Sequence, residues 1–212
     1  MPPFMDNIHP EFHRQLSRAA KETLLSQRSC VVWLYGLSGS GKSTLAQLLE
    51  QKLHSEGRAT ILLDGDNLRT GLNSGLGFTE DDRRENVRRA AEVAKLFTQA
   101  GLITICSFIS PYRSLRKLAR QIIGEADFLE VYVHARFETC KARDPKGLYK
   151  KAEQGRVAFF TGRDSVFEEP DETFTGLRLD TETETKEQSF DKLLAAIRPR
   201  ITFKPAAAQP EA

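Results

Sequence analysis

Three groups of residues in this 212-residue chain have types and spacings suited to chemistry on phosphates. The first is Gly36-Leu-Ser-Gly-Ser-Gly41-Lys42-Ser43, a full match to G-x-x-x-x-G-K-[ST], set after an apolar strand and before a helical pattern. Glycines let such a loop curl until successive N–H groups and the following helix N-terminus face phosphate oxygens. Gly36, Leu37, Ser38, Gly39, Ser40, Gly41, Lys42, Ser43 and Thr44 are therefore expected to grip a nucleoside triphosphate. Lys42 would neutralise its β- and γ-phosphates, and the Ser43 hydroxyl would ligate Mg²⁺. A dinucleotide fingerprint fails, because Thr44 stands where its last glycine is needed.

The second group is Asp64-Gly65-Asp66-Asn67-x-Arg69, just beyond another apolar run. One carboxylate there, Asp64, can hold Mg²⁺ through water; a second, Asp66, can orient or deprotonate an attacking hydroxyl. The plainer alternative is an Asp-Gly turn with Asp66 capping the next helix. The third group is the basic stretch Lys141 to Lys151, in which Arg143 and Lys146 could close over phosphates as a lid or simply form a solvated loop. On a long helical pattern, Arg83 and Asn86 share one face and Arg84 and Arg88 a neighbouring one. An Arg and an Asn aimed into a cleft suit an anionic acceptor. Phe78, Phe159 and Phe160 fall outside periodic core positions, where they could sandwich a base or anchor loops. The guanine-reading Asn-Lys-x-Asp of GTPases is absent, which leaves a kinase of small molecules as the better fit.

These residues need a frame that brings them to one edge. Apolar runs at 30–35, 59–63, 102–108 and 128–133, with a weaker one at 177–179, alternate with helical patterns at 43–54, 81–100, about 112–123 and 186–197. A further amphipathic helix is expected over 11–27, Gly101 should cap the long helix, and Pro199 should stop the last. Alternating strands and helices, with strands apolar on both faces, indicate an α/β fold: a parallel sheet of about five strands covered on both sides. Ligands then bind beyond the carboxyl ends of the strands, where all three groups fall. The organisation expected is an arm and short helix over 1–28, one domain over 29–200 and a disordered tail over 201–212.

Composition narrows the classes. Hydrophobic residues at 40% support a core, and 31 cations against 29 anions argue against a general nucleic-acid binder. No apolar run reaches the ~20 residues that span a bilayer, and no secretory signal is visible. Cys30, Cys106 and Cys140 lack C-x-x-C spacing and suit buried reduced thiols in a cytoplasmic protein.

Beyond the phosphate loop, seven stretches resemble the adenylyl-sulfate kinase (APS kinase) family: Leu63-Asp-Gly-Asp-Asn67, Gly71-Leu-Asn, Leu76-Gly-Phe78, Asp82-Arg-Arg-Glu-Asn86, Ser107-Phe-Ile-Ser-Pro-Tyr-Arg113, Arg143-Asp-Pro-Lys-Gly-Leu-Tyr-Lys-Lys151 and Phe160-Thr-Gly162. They run in order through most of the chain. The resemblance implies a P-loop kinase with a mobile lid from Arg143 to about Ser165. It implies that ATP, with Mg²⁺, phosphorylates the 3′-hydroxyl of adenylyl sulfate. Asp66, Arg69, Phe78, Arg83, Asn86, Ile109, Ser110, Lys146 and Phe160 would surround the acceptor, with Phe78 and Phe160 on its adenine and Arg143 facing ATP. Lys42, Asp66, Ser110 and Lys146 would carry catalysis, Ser110 matching a serine that becomes phosphoserine in some members. The family is usually dimeric, serves sulfate assimilation and is in places fused to ATP sulfurylase, for which 212 residues leave no room. Three departures lie near the aromatic clamp: Val157-Ala158-Phe159 for the usual Ile-Lys-Asn, Arg163 where Ile is common, and Thr70 where His is frequent. The alternatives are a nucleoside or nucleotide kinase with the same loop and lid, and an inactive P-loop subunit that binds ATP as a structural or regulatory ligand.

Overall fold

A computed structural model describes residue 9 and residues 11–156 and 160–203. Five strands, β1 (Val31–Tyr35), β2 (Thr60–Asp64), β3 (Ile103–Phe108), β4 (Phe128–His134) and β5 (Leu177–Asp180), form one parallel sheet in the order β2-β3-β1-β4-β5. β1 lies at the centre with all five residues buried, which is why its sequence is apolar on both faces. Its side chains alternate between two cores. Val32 and Leu34 pack with Leu45, Leu49 and Leu53 of α2 (Lys42–Ser55) and Leu193, Ile197 and Ile201 of α8 (Lys186–Ile201). Val31, Trp33 and Tyr35 pack with Val87, Ala90 and Ala94 of α4 (Glu80–Gln99) and Leu115, Ala119 and Ile123 of α5 (Arg113–Ile123). The α/β expectation, with its doubly covered parallel sheet, holds.

Local chemistry sets the helix ends. Thr79 Oγ1 accepts from Asp82 N at 3.2 Å, and three acidic residues fill the first turn of α4. Gly101, at φ 86°, takes the left-handed position that ends this helix. Thr185 and Gln188 form a reciprocal cap on α8. Two differences from the sequence pattern have clear causes. The single helix expected over 11–27 is a 3-10 turn, Phe12–Arg14, and then α1 (Arg18–Leu25), because extended Ser17 caps a new start by accepting from Ala20 N. Pro199 does not stop α8, which runs to Ile201 because that side chain is only 3% exposed and anchored in the core. Two helices were not anticipated, α6 (Phe137–Arg143) and α7 (Leu148–Glu153), while α3 (Gly65–Leu68) is the short helix that the Asp-Gly alternative allowed for. The first ten residues other than His9, and those beyond Phe203, lie outside the described residues.

The three thiols are free and buried, and burial pushes Cys30 up to about 12. Among the described residues no helix is long and apolar enough to cross a membrane.

Helix α1 is fastened to the edge of the sheet where the strands begin. Arg18 donates to both carboxylate oxygens of Asp127 at 2.6 and 2.8 Å, to Glu22 at 2.8 Å and to Ser29 O at 2.7 Å. Arg18→Ala should lower unfolding free energy by about 2 kcal/mol, the scale of losing charge-assisted hydrogen bonds in a partly buried site. Urea denaturation measures this, and turnover in the unperturbed native state should be unchanged, since α1 lies at the opposite end from the strands' carboxyl ends.

Candidate active site

Parallel pairing places the carboxyl ends of β2, β3 and β1 side by side, with Asp64 opposite Ser107 and Tyr35 opposite Phe108. The loop after β1 turns back so tightly that only glycine fits at two points. A Cβ on Gly36 would stand 2.3 Å from Val133 O, and one on Gly39 2.9 Å from Cys140 O. Gly39 and Gly41 also have φ of 80° and 101°, left-handed values that glycine adopts freely. The loop is clamped from outside as well. Tyr149 of α7 donates to Ser38 O at 2.8 Å, Thr181 Oγ1 donates to Ser40 O at 3.0 Å, and Arg143 Nη2 donates to Thr181 O at 2.7 Å.

Lys42 opens α2 and is 7% exposed. Its Nζ donates to Leu37 O at 2.5 Å and to Ser40 Oγ at 3.4 Å. Burial pushes this ammonium down to about 8, against which nearby Asp64 and Asp66 pull it up. Beside it, Ser43 Oγ is 3.0 Å from Asp64 Oδ2 and 3.3 Å from Ser107 Oγ. Three hard oxygens facing the loop, with no sulfur or imidazole among them, suit Mg²⁺, which keeps most of its waters and takes few protein ligands. Asp64 also accepts from Asp66 N at 3.0 Å, so the cap of α3 is Asp64 rather than Asp66. Asp66 is thereby left facing outward.

Two hollows meet at this point. The larger, about 260 Å³, is walled by Gly39, Gly41, Lys42, Ser43, Thr44, Asp64 and, from the lid, Lys146. The smaller, about 80 Å³, is walled by Arg69, Phe78, Arg83, Asn86 and Ser110. Gly65, Asp66, Phe108 and Ile109 line both. Lys146 Nζ lies 2.6 Å from Asp66 Oδ2, a hydrogen bond that pushes the lysine up. In the smaller hollow, Arg69 lies 4.2 Å above the Phe78 ring while bonding Leu76 O and Gly77 O. Arg83 is 7% exposed and donates to Phe78 O and to Thr161 Oγ1, both at 2.9 Å. Asn86 Oδ1 accepts from Asn73 at 3.0 Å. The arrangement can hold two anionic ligands on either side of one carboxylate.

Most residues singled out from the sequence converge here, but not all. Arg143 lies behind the loop, bonding Thr181 and Gly39 O, and lines neither hollow. Phe160 is buried in a lid cluster with Leu37, Cys140 and Tyr149, its ring edge-on to Tyr149 at 4.7 Å. Arg84 and Arg88 stay outside both hollows, while Arg83 and Asn86 face the smaller one. Arg163 donates to Ala152 O at the end of α7, and Thr70 Oγ1 bonds Asn67 O at 2.8 Å. Residues 157–159, including Phe159, lie outside the described residues. Ser107, Tyr149 and Thr161 fall within the family-like stretches but were given no role of their own, and Thr181 was not noted. Ser107 could have been found as the strand-end neighbour of Asp64; the others meet the site only through tertiary packing.

Comparison with known proteins agrees with this geometry. A family model described as adenylylsulphate kinase matches residues 28–178. The adenylyl-sulfate kinase of Bacteroides fragilis is 49% identical over 197 residues, 93% of this chain and 96% of that protein. The bifunctional enzyme NodQ of Rhizobium tropici is 55% identical over 166 residues, 78% of this chain but 26% of that longer protein. The solved APS kinase CysC of Mycobacterium tuberculosis, in complex with AMPPNP and APS, superposes with a TM-score of 0.73 at 44% identity, covering 79% of this chain and 98% of that one.

The buried ammonium gives a pH signature. With Lys42 near 8, about half the molecules carry it neutral at pH 8 and about a tenth at pH 7. A bound triphosphate favours the charged form, so binding should take up about half a proton at pH 8 and about a tenth at pH 7. Calorimetry in two buffers of different ionisation enthalpy reads this directly. Proton release, or uptake that does not grow with pH, would contradict the assigned environment of Lys42.

Proposed function

Because this chain belongs to the adenylylsulphate kinase family, we propose how its two hollows divide the work of that family's reaction. The enzyme transfers the γ-phosphoryl group of ATP to the 3′-hydroxyl of adenylyl sulfate, giving 3′-phosphoadenylyl sulfate and ADP. The observation that carries our assignment is the shared wall: Asp66 lines both the loop cleft and the Arg83–Phe78 pocket. ATP belongs in the cleft and adenylyl sulfate in the pocket, so that the acceptor hydroxyl meets the γ-phosphorus beside Asp66.

The roles follow from position. Lys42 neutralises the β- and γ-phosphates, and the glycine turns of 36–41 set the backbone close to them. Ser43, and Asp64 through water, would hold Mg²⁺, which would supply further positive charge to the phosphate oxygens. Asp66 orients the 3′-hydroxyl and accepts its proton as the new O–P bond forms and the β–γ bridging oxygen departs with ADP. Lys146 brings a cation to the same point from the lid. Arg83 and Asn86, each fixed by its own partners, present charge and amide to the acceptor's oxyanions. Phe78 offers its ring to the adenine; Phe160 would join it only if the lid rearranged around Tyr149. Direct in-line transfer leaves Ser110 as a wall residue with no need of a phosphoserine. Arg143 supports the loop from behind and reaches ATP through that support.

A homodimer, functional coupling to ATP sulfurylase and a cytoplasmic place in sulfate assimilation complete the proposal; family membership supports the role in sulfate assimilation, and the existence of a bifunctional relative supports the coupling.

An ADP-release assay with adenylyl sulfate, AMP and adenosine as acceptors tests it, with adenylyl sulfate expected to be strongly preferred. Preference for AMP or adenosine would move the chain to the nucleotide kinases, and ATP binding without turnover would make it an inactive subunit. Lys42→Ala should cost at least about 3 kcal/mol of transition-state stabilisation. Arg83→Ala should raise KM for adenylyl sulfate far more than KM for ATP; equal effects would take Arg83 out of the acceptor pocket.

A further inference from the structure

Ser110, in the wall of the acceptor pocket, has φ 42°, and among the described non-glycine residues only Ser26 also lies in the left-handed region. L-residues adopt this conformation rarely, and it persists where the surroundings enforce it. Two buried side chains do so. Trp33 Nε1 donates to Ser110 Oγ at 3.1 Å, and Arg116 Nη1 donates to Ser110 O at 2.9 Å. Both anchors are themselves held. Trp33 is fully buried and stacked on Phe108 with ring centroids 4.9 Å apart. Arg116 is 3% exposed, lies 4.4 Å above the Tyr35 ring and 3.5 Å from the Glu130 carboxylate. Its other nitrogen donates to Glu168 O at 2.8 Å, and Glu168 N returns a bond to Pro111 O at 2.8 Å. Neither Trp33 nor Arg116 lines the cleft or the acceptor pocket.

We propose that Trp33 and Arg116 are positioning residues for the acceptor, acting through Ser110. One fixes the hydroxyl and the other the carbonyl of the same residue, so the turn that carries Ile109 and Ser110 has a single conformation. The indole N–H can only donate, so Ser110 Oγ must accept in that bond. Its own proton is thereby turned away from Trp33 and left to donate elsewhere. The proposal rests on the reading of this pocket as the adenylyl sulfate site.

The chain contains one tryptophan, so ¹⁵N-tryptophan labelling gives a single indole N–H resonance. In the substrate-free protein, Ser110→Ala should move that resonance and speed its exchange with water. Kinetically, Trp33→Phe keeps a ring in the core but removes the donor. It should raise KM for adenylyl sulfate about tenfold, the scale of one buried hydrogen bond, with KM for ATP within about twofold. Ser110→Ala should do the same, and the double variant should be no worse than the poorer single one, because all three lose one contact. Should Trp33→Phe fail to fold, Arg116→Lys keeps the charge, forfeits the two-carbonyl fork and should show the same KM split. An unmoved indole resonance, KM values that rise together, or single effects that multiply in the double variant would overturn the proposal alone. A wild-type enzyme silent toward adenylyl sulfate would overturn the pocket assignment and this proposal with it.

Discussion

A charged side chain taken out of water must be answered by oxygen, and the ammonium of Lys42 is where this molecule meets that requirement. Its nearest partner is Leu37 O, in the very loop it serves. The position of Nζ therefore depends on the shape of the loop, and the shape of the loop depends on its neighbours. Val133 O and Cys140 O press on it at Gly36 and Gly39, and Tyr149 and Thr181 bond its carbonyls at Ser38 and Ser40. Four separate segments thus converge on one turn of backbone. Its glycines are a consequence of that crowding as much as of phosphate chemistry.

The second constraint is the thinness of the partition between the two hollows. Gly65, Asp66, Phe108 and Ile109 serve both sides, so ligands held in the two hollows would meet across these few residues. Asp66 reaches this place because Asp64 takes over the capping of α3. Adjacent carboxylates in one short motif thus acquire different duties: one faces Ser43, the other the cleft mouth. The Asp66–Lys146 pair is largely exposed, with 66% and 49% of the side chains accessible. Solvent screening leaves it little weight in stability, and its meaning lies in bringing lid and partition together.

Much of this was legible beforehand. Strand-helix alternation and double-sided apolar runs specified the sheet, and the G-x-x-x-x-G-K-[ST] spacing specified the loop, because both are local consequences of periodicity and glycine placement. Arg83 and Asn86 were recognised as sharing a face, and the family resemblance chose them over Arg84 and Arg88; the docking of α4 on the sheet gives the physical reason, since it turns that pair to the smaller hollow. Arg143 and Phe160 were given to the ligands and are found on the loop's outer side and in the lid core. A basic or aromatic residue in a loop advertises its type but not its direction. Trp33 read simply as a core residue of β1; its donor became visible only when β1 was set beside the turn after β3. Pro199 was read as a stop, yet a proline in a final turn interrupts little when the residues after it are anchored in the core.

The hydrogen bond from Arg28 N to Ile201 O, 3.0 Å long, ties the segment leading into β1 to the last residue of α8. The segment between α1 and β1 thus touches the end of the last helix, at the strand ends remote from both hollows. A short bridge between them, with a new opening cut in an exposed surface turn, would give a circular permutant with the same interior. The same closeness lets the whole unit be inserted into a host protein as a side branch, hung from one point with its catalytic rim turned outward.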